Sequence, residues 1–166
     1  MGLSDSDFGN TKDGYSYSGN LILLGGSAIV SSTKKQSVAT TATADSELIS
    51  LSGVVRSVDE TLVLLNDLSV SVTYPVPVLC DNQATVLAAT TLTSRKSRHL
   101  AIHAAYVRDH TLRKRSISVR GVSTSDNLSD FFTKPLPHAT FARFRKHIML
   151  GVPFNPSLLP LSMTRK

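Results

Sequence analysis

Cysteine is almost absent from this chain of 166 residues: Cys80 is the only one. No disulfide can form within the chain, which fits a reducing compartment and an intracellular setting, cytoplasmic or nuclear. Cys80 closes the apolar run Val76-Pro77-Val78-Leu79-Cys80, so it reads as a buried strand residue rather than a nucleophile. No apolar stretch approaches the length of a membrane span, and no membrane partner is expected. The start, Met1-Gly2-Leu3-Ser4, lacks the basic and apolar regions of a secretory signal. There is no Cys-x-x-Cys and no histidine cluster, which sets zinc aside. Gly26-Ser27-Ala28 lacks the surroundings of a nucleophile elbow. Acids are scarce as well, 12 against 18 Lys and Arg.

What is present suits one globular domain with a real core: 41% of residues are hydrophobic. We expect the domain to span residues 1–150, with 151–166 as a C-terminal tail beginning at Gly151-Val152-Pro153. The net charge of +6 and pI near 9.7 favour a polyanionic partner, most simply nucleic acid.

The pattern along the chain predicts the end of a strand running into a loop over residues 1–10, then strands over 15–24 and 27–32 joined by Gly25-Gly26. A helix follows from Thr43, with Thr43 as its N-cap and Asp45 and Glu47 in its first turn. Leu48, Leu51, Val54, Val55, Val58, Leu62 and Leu65 form its apolar stripe. Then come a strand over 76–80, a short helix over 84–89, a helix from Ser97 to about Arg113, and an alternating strand over 117–122. A helix around 126–133 and an amphipathic helix over 139–149 close the order, the latter with Phe141, Phe144 and Ile148 inward. A leading meander followed by strand–helix crossovers implies an α/β fold, one mixed sheet with helices on both faces.

Four acids stand in distinctive settings: Asp5 in Ser4-Asp5-Ser6-Asp7-Phe8, Glu47 in Asp45-Ser46-Glu47-Leu48, Asp81 at the end of the apolar strand, and Asp130 in Leu128-Ser129-Asp130-Phe131-Phe132. An acid that ends an apolar strand or interrupts an apolar face is costly to bury unless paired or metal-bound. If the four converge, they make an oxygen-rich site for hard divalent cations, and on a basic protein such a site points to phosphodiester chemistry. Taken singly, each acid reads as a helix cap or a solvated loop residue.

Taken together the segments resemble a known family, the ribonuclease H domain of copia-type (pseudoviral) LTR retrotransposon polyproteins. The residues that carry the likeness are Ser4 to Phe8, Ser18-Gly19-Asn20, Ser31-Ser32-Thr33-Lys34-Lys35-Gln36, Thr43 to Ser52, Cys80-Asp81-Asn82-Gln83-Ala84, Arg98 to Ile102, and Leu128 to Leu136. The resemblance implies a ribonuclease H-like fold with a five-stranded mixed sheet flanked by helices. It implies that Asp5, Glu47, Asp81 and Asp130 bind two Mg²⁺ ions, with Mn²⁺ as a substitute, about 4 Å apart. One ion would activate a water and the other would stabilise the leaving 3′ oxygen. The implied reaction is endonucleolytic hydrolysis of the RNA strand of an RNA–DNA hybrid, leaving 5′-phosphate products. The alternative is a catalytically weak nucleic-acid-binding module derived from such a domain.

By the same likeness, Asn82 and Gln83 would face ribose 2′-hydroxyls, which distinguish RNA from DNA. For Asn82, capping the following helix is an equal reading. Of three basic clusters, Lys34-Lys35, Arg95-Lys96-Arg98 and Arg113-Lys114-Arg115, one or two are expected on phosphates, and Arg95, Lys96 and Arg98 are chosen as substrate-binding. The polyprotein's reverse transcriptase portion is a possible partner, and a virus-like particle a possible setting. The chain departs from the pattern in three places. Only Met1 to Ser4 precede Asp5, so the first strand is expected to be short and weakening; Phe8 stands where Trp is common; and Ala101 stands where Asp is frequent, while Gly121 to Asn127 lacks the histidine of cellular ribonucleases H, as is usual in the copia type.

Overall fold

A computed structural model describes residues 1–91, 98–156 and 158–159; for 98–99 and 158–159 it describes the backbone alone. The sheet has the order β3-β2-β1-β4-β5-β6, with β1 Gly2–Asp7, β2 Tyr17–Leu24, β3 Ser27–Lys35, β4 Val76–Cys80, β5 Ile117–Val122 and β6 Leu158–Leu159. Strands β1 to β5 are the expected five-stranded mixed sheet: β1–β2 and β2–β3 pair antiparallel, β1–β4 and β4–β5 parallel. The two-residue β6 pairs antiparallel with the end of β5 and draws part of the C-terminal stretch onto the sheet. Gly25 and Gly26 turn the β2–β3 hairpin with φ of 59° and 87°, a conformation that L side chains resist.

Alternation along the strands sends alternate side chains to opposite faces. On one face Ile22, Val76, Val78, Cys80, Ile117 and Val119 meet Leu51, Val54, Val55 and Val58 of helix α1 (Thr43–Asp67), with α2 (Gln83–Thr90) and α3 (Arg98–Arg108) alongside. On the other face Leu3, Leu21, Leu23, Leu79 and Val122 pack on Leu128 and on Phe144 of α4 (His138–Met149), with Phe154 joining from beyond the helix. Pro77, without an amide proton, sits where β1 has not yet begun to pair with β4, since that pairing starts at Gly2↔Val78.

β3 runs on to Lys35, the helix expected to about Arg113 passes into a π-helical turn at Asp109, and two further differences from the sequence reading bear on the site. Thr43 is the first residue of α1 rather than its cap; Ala42 holds that position with no side-chain bond, and Ser46 Oγ donates to the Thr43 carbonyl instead. The stretch 126–133 is not one helix but two 3₁₀ turns, Thr124–Asp126 and Leu128–Phe132. Asn127, fully buried, separates them: its Oδ1 accepts from the Ser129 amide and hydroxyl, and its Nδ2 donates to the Ser4 carbonyl at 3.0 Å. A tertiary bond to β1 thus interrupts what periodicity alone would continue. The short first strand is fully paired along β2, and the Met1 ammonium donates to the Leu23 carbonyl at 2.9 Å.

Candidate active site

Asp5 and Asp81 follow the last paired residues of two parallel neighbours, Ser4 of β1 and Cys80 of β4. Their carboxylates emerge together because the strands run the same way and their mutual pairing stops at Ser4↔Cys80, although β1 itself continues to Asp7 along β2. Asp130 enters from the 3₁₀ turn pinned by Asn127. Carboxylate oxygens of Asp5, Asp81 and Asp130 lie within 4.8 Å of one another. Glu47 lies one turn into α1, and its Oε1 accepts from the Ser6 amide at 3.2 Å. It forms a second trio with Asp81 and the Cys80 sulfur, again within 4.8 Å. The four acids are therefore two overlapping groups that share Asp81.

Asp5, Glu47 and Asp130 are each buried to 5% exposure or less. Burial and the charges of Asp5 and Asp81 push the Glu47 carboxyl up to about 9. Burial and Asp5 push Asp130 up to about 7, and raise Asp81 as well. Glu47 Oε2 and Asp130 Oδ1 are buried with no hydrogen-bond partner. Acceptors left bare beside other acceptors are a costly arrangement that a divalent cation would resolve, so the donor set fits hard, oxygen-loving ions. Cys80 is no part of such a set: its thiol is fully buried and burial pushes it well above the ordinary range.

Three further residues complete the site. The Lys134 ammonium lies 3.0 Å from Asp130 Oδ2 and 3.8 Å from Asp5 Oδ2. Burial pulls its pKa down, but the Asp5 and Asp130 charges outweigh this and hold it above the usual lysine value. Thr133 Oγ1 donates to Asp5 Oδ2. Gly19, opposite Asp5 in the β1–β2 register, is the third: a Cβ there would come within 2.6 Å of Thr133 Cγ2 and 2.9 Å of the Ser129 carbonyl. Its missing side chain lets the turn bearing Asp130 close on the sheet. Lys134 was findable in the sequence as the residue four past Asp130; Gly19 stood in the Ser18-Gly19-Asn20 motif, where nothing local revealed its packing role.

Asn82 caps α2, its Oδ1 accepting from the Thr85 amide at 3.0 Å, which favours the capping reading over ribose contact for that oxygen. Gln83 is exposed at the first turn of α2, next to Asp81 in the chain. Arg95 and Lys96 lie outside the described residues, as does the side chain of Arg98. Lys35 is paired with Asp13, while Arg113 and Lys114 share Asp109. Asp7 accepts from Asn10 and Asp126 pairs with Arg143, so neither joins the acidic group.

No family model matches the chain. It is 32% identical over 147 residues, 87% of its length, to the retrovirus-related Pol polyprotein from transposon RE1 of Arabidopsis thaliana. It is 30% identical over 149 residues to the transposon Ty1-NL2 Gag-Pol polyprotein of Saccharomyces cerevisiae. Among solved structures it resembles RNase H1 from Halobacterium salinarum NRC-1, with a TM-score of 0.57 and 12% identity over 80% of this chain and 92% of that one. It also resembles LC11-RNase H1 in complex with an RNA/DNA hybrid, with a TM-score of 0.55 and 16% identity over 76% of this chain and 86% of that one. The chain is a ribonuclease H-fold relative of copia-type retrotransposon Pol polyproteins. It spans only 10% of the RE1 polyprotein and 8% of the Ty1-NL2 one, so it corresponds to one ribonuclease H-like segment of a much longer protein. At such identities the solved structures establish the fold of that segment, and its own side chains must supply the chemistry.

Proposed function

We propose that the chain is a metal-dependent endonuclease that hydrolyses the RNA strand of RNA–DNA hybrids. The observation that carries this reading is the convergence of Asp5, Asp81 and Asp130 within 4.8 Å, with Glu47 joined to the group through Asp81. Asp5, Glu47, Asp81 and Asp130 would hold two divalent ions, most simply Mg²⁺. Ions bound there supply Lewis-acid activation of water and compensation of charge developing on the phosphate. The Ser6 amide orients Glu47, and Thr133 and Lys134 orient Asp5 and Asp130.

The hybrid as substrate is supported by the likeness to an RNase H1 solved with RNA/DNA hybrid and by the net charge of +6. Gln83, exposed beside Asp81, is suited to a ribose 2′-hydroxyl, and Asn82 Nδ2 has the same capacity while its Oδ1 serves the cap. Arg95, Lys96 and Arg98 would contact phosphates, and the polymerase portion of a Pol polyprotein would be the covalent neighbour. The test is a labelled hybrid incubated with wild-type and Asp81→Asn protein, with and without Mg²⁺. Cut RNA strand is expected from wild type with Mg²⁺ alone; equal cleavage by folded Asp81→Asn protein would overturn the assignment.

A further inference from the structure

Helix α1 has no local anchor for its first turn: Ala42 stands at the cap position with no side-chain bond. Four buried polar side chains from four parts of the chain supply one. They are Ser6 of β1, Ser18 of β2, Gln36 beyond β3 and Ser46 of α1, none more than 8% exposed. Gln36 Nε2 donates to Ser18 Oγ and to the Ser46 carbonyl, both at 2.9 Å. A carbonyl only accepts, so the donor end of the amide is the end on Ser46. Ser46 Oγ donates to the Thr43 carbonyl at 2.9 Å and lies 2.8 Å from Ser6 Oγ. A hydroxyl has one proton, so Ser6 is the donor in that pair. Ser6 and Ser18 face each other in the β1–β2 register, and the ring closes.

The ring meets the acids at Glu47. That residue follows Ser46 in the chain, and its Oε1 accepts from the Ser6 amide. Its backbone thus continues from one member of the ring and its carboxylate rests on another. One turn further along α1, Ser50 Oγ donates to the Asp5 carbonyl at 2.7 Å. Ser50 holds α1 to β1 at one point, and a helix held at one point can still turn about it. The bonds at Ser46 supply a second point, and of those from outside the helix the one from Gln36 reaches the backbone. The Gln36 amide N–H itself donates to the Ser16 carbonyl at 2.8 Å, which ties the donor residue to the stretch entering β2. Lys35 pairs with exposed Asp13 while Gln36 turns inward, which separates two residues that the sequence reads as one polar edge.

We propose that Gln36 is a positioning residue of the acidic site: through Ser46 it sets where Glu47 stands. Its donor bonds go to Ser18 and Ser46, so its effect reaches Glu47 through the backbone of the first turn of α1. The inference rests on the reading of Glu47 as a metal ligand, and the experiment separates the two. Loss of a bond that holds a metal ligand in place typically weakens ion binding roughly 10- to 100-fold. The variant is Gln36→Met, which keeps the length of the side chain and removes its donor. Ser52→Ala is the control, since it costs α1 another buried bond, the one to His103 Nδ1 at 2.5 Å, outside the ring.

Calorimetry with Mg²⁺ should show binding weakened roughly 10- to 100-fold in Gln36→Met and unchanged in Ser52→Ala. In metal-free protein, hydrogen exchange should show the Ser6 amide less protected, relative to Leu79 of β4, in Gln36→Met alone, because Glu47 no longer rests on it. Wild-type Mg²⁺ affinity in Gln36→Met, or an equal loss in Ser52→Ala, would overturn the proposal. If wild type binds no Mg²⁺, the ion reading fails by itself and the Ser6 amide decides. Unchanged protection then overturns the positioning role, and a loss confined to Gln36→Met upholds it. If Gln36→Met does not fold, Gln36→Glu takes its place: it keeps the shape, sets a carboxylate against the Ser46 carbonyl, and carries the same expectations.

Discussion

At Glu47 one carboxylate oxygen takes the Ser6 amide and the other has no partner, so the side chain holds its proton far more tightly when folded than when unfolded. The sign follows from linkage: stability from the protonated form is full below 4.5 and is lost as pH rises through about 9. Asp130 acts the same way between 3.8 and about 7. Metal-free protein should therefore lose thermal stability across this span, and Glu47→Gln should remove the part of the decline above about 7 that Asp130 does not explain. Melting curves with a chelator over that pH range check this; a variant as steep as wild type would contradict it. Lys134 offsets the mutual repulsion of the acids, since it is the cation against Asp5 and Asp130. Lys134→Met should lower the metal-free melting temperature and enlarge the rise that Mg²⁺ produces, because the ion then neutralises acids that nothing else does. Equal Mg²⁺-induced shifts in both proteins would show that the ammonium does not share the acids with the ion.

At the level of elements, the 3₁₀ turn Leu128–Phe132 depends on the space that Gly19 leaves beneath it. Gly19→Ala should cost about 1–3 kcal/mol by overpacking and push the turn off the sheet. Because Asp130 rides on that turn, Mg²⁺ should stabilise the variant less than wild type even at matched pH. Calorimetry with and without the ion reads both effects, and a variant with wild-type melting and Mg²⁺ response would refute the packing argument. Helix α1 was legible from its apolar spacing because most of its stripe is buried as the period demands. The 3₁₀ turns were not, because Asn127 spends its amide on the Ser4 carbonyl, a partner 123 positions away in the chain.

For the whole molecule, charge should govern binding and the acids should govern chemistry. Chelation of divalent ions should abolish cleavage of a hybrid and leave its binding measurable by fluorescence anisotropy. Binding should weaken linearly on a log–log plot against salt, and alanine at Arg95, Lys96 and Arg98 should reduce the slope by roughly 2 to 3. An unchanged slope would move the phosphate contacts elsewhere, to Lys34 and Arg56 among the described residues.

The amino-acid sequence by itself determined the order of β1 to β5 and of α1 to α4, the apolar faces and the four acids, since these depend on local periodicity and on residue type; it did not reveal β6 or the 3₁₀ turns around Asn127. Its motifs also identified the fold family. Only the tertiary structure decided that Asp81 is shared by two groups of acids, that Lys134 lies against two of them, that Asn82 caps a helix, and that Gly19 and Asn127 seat Asp130. The Asn82 cap and the Lys134–Asp130 pair span only three and four residues; the others are distances between residues far apart in the chain, set by how parallel strands align and how closely a turn can approach them, and no local pattern encodes such a distance.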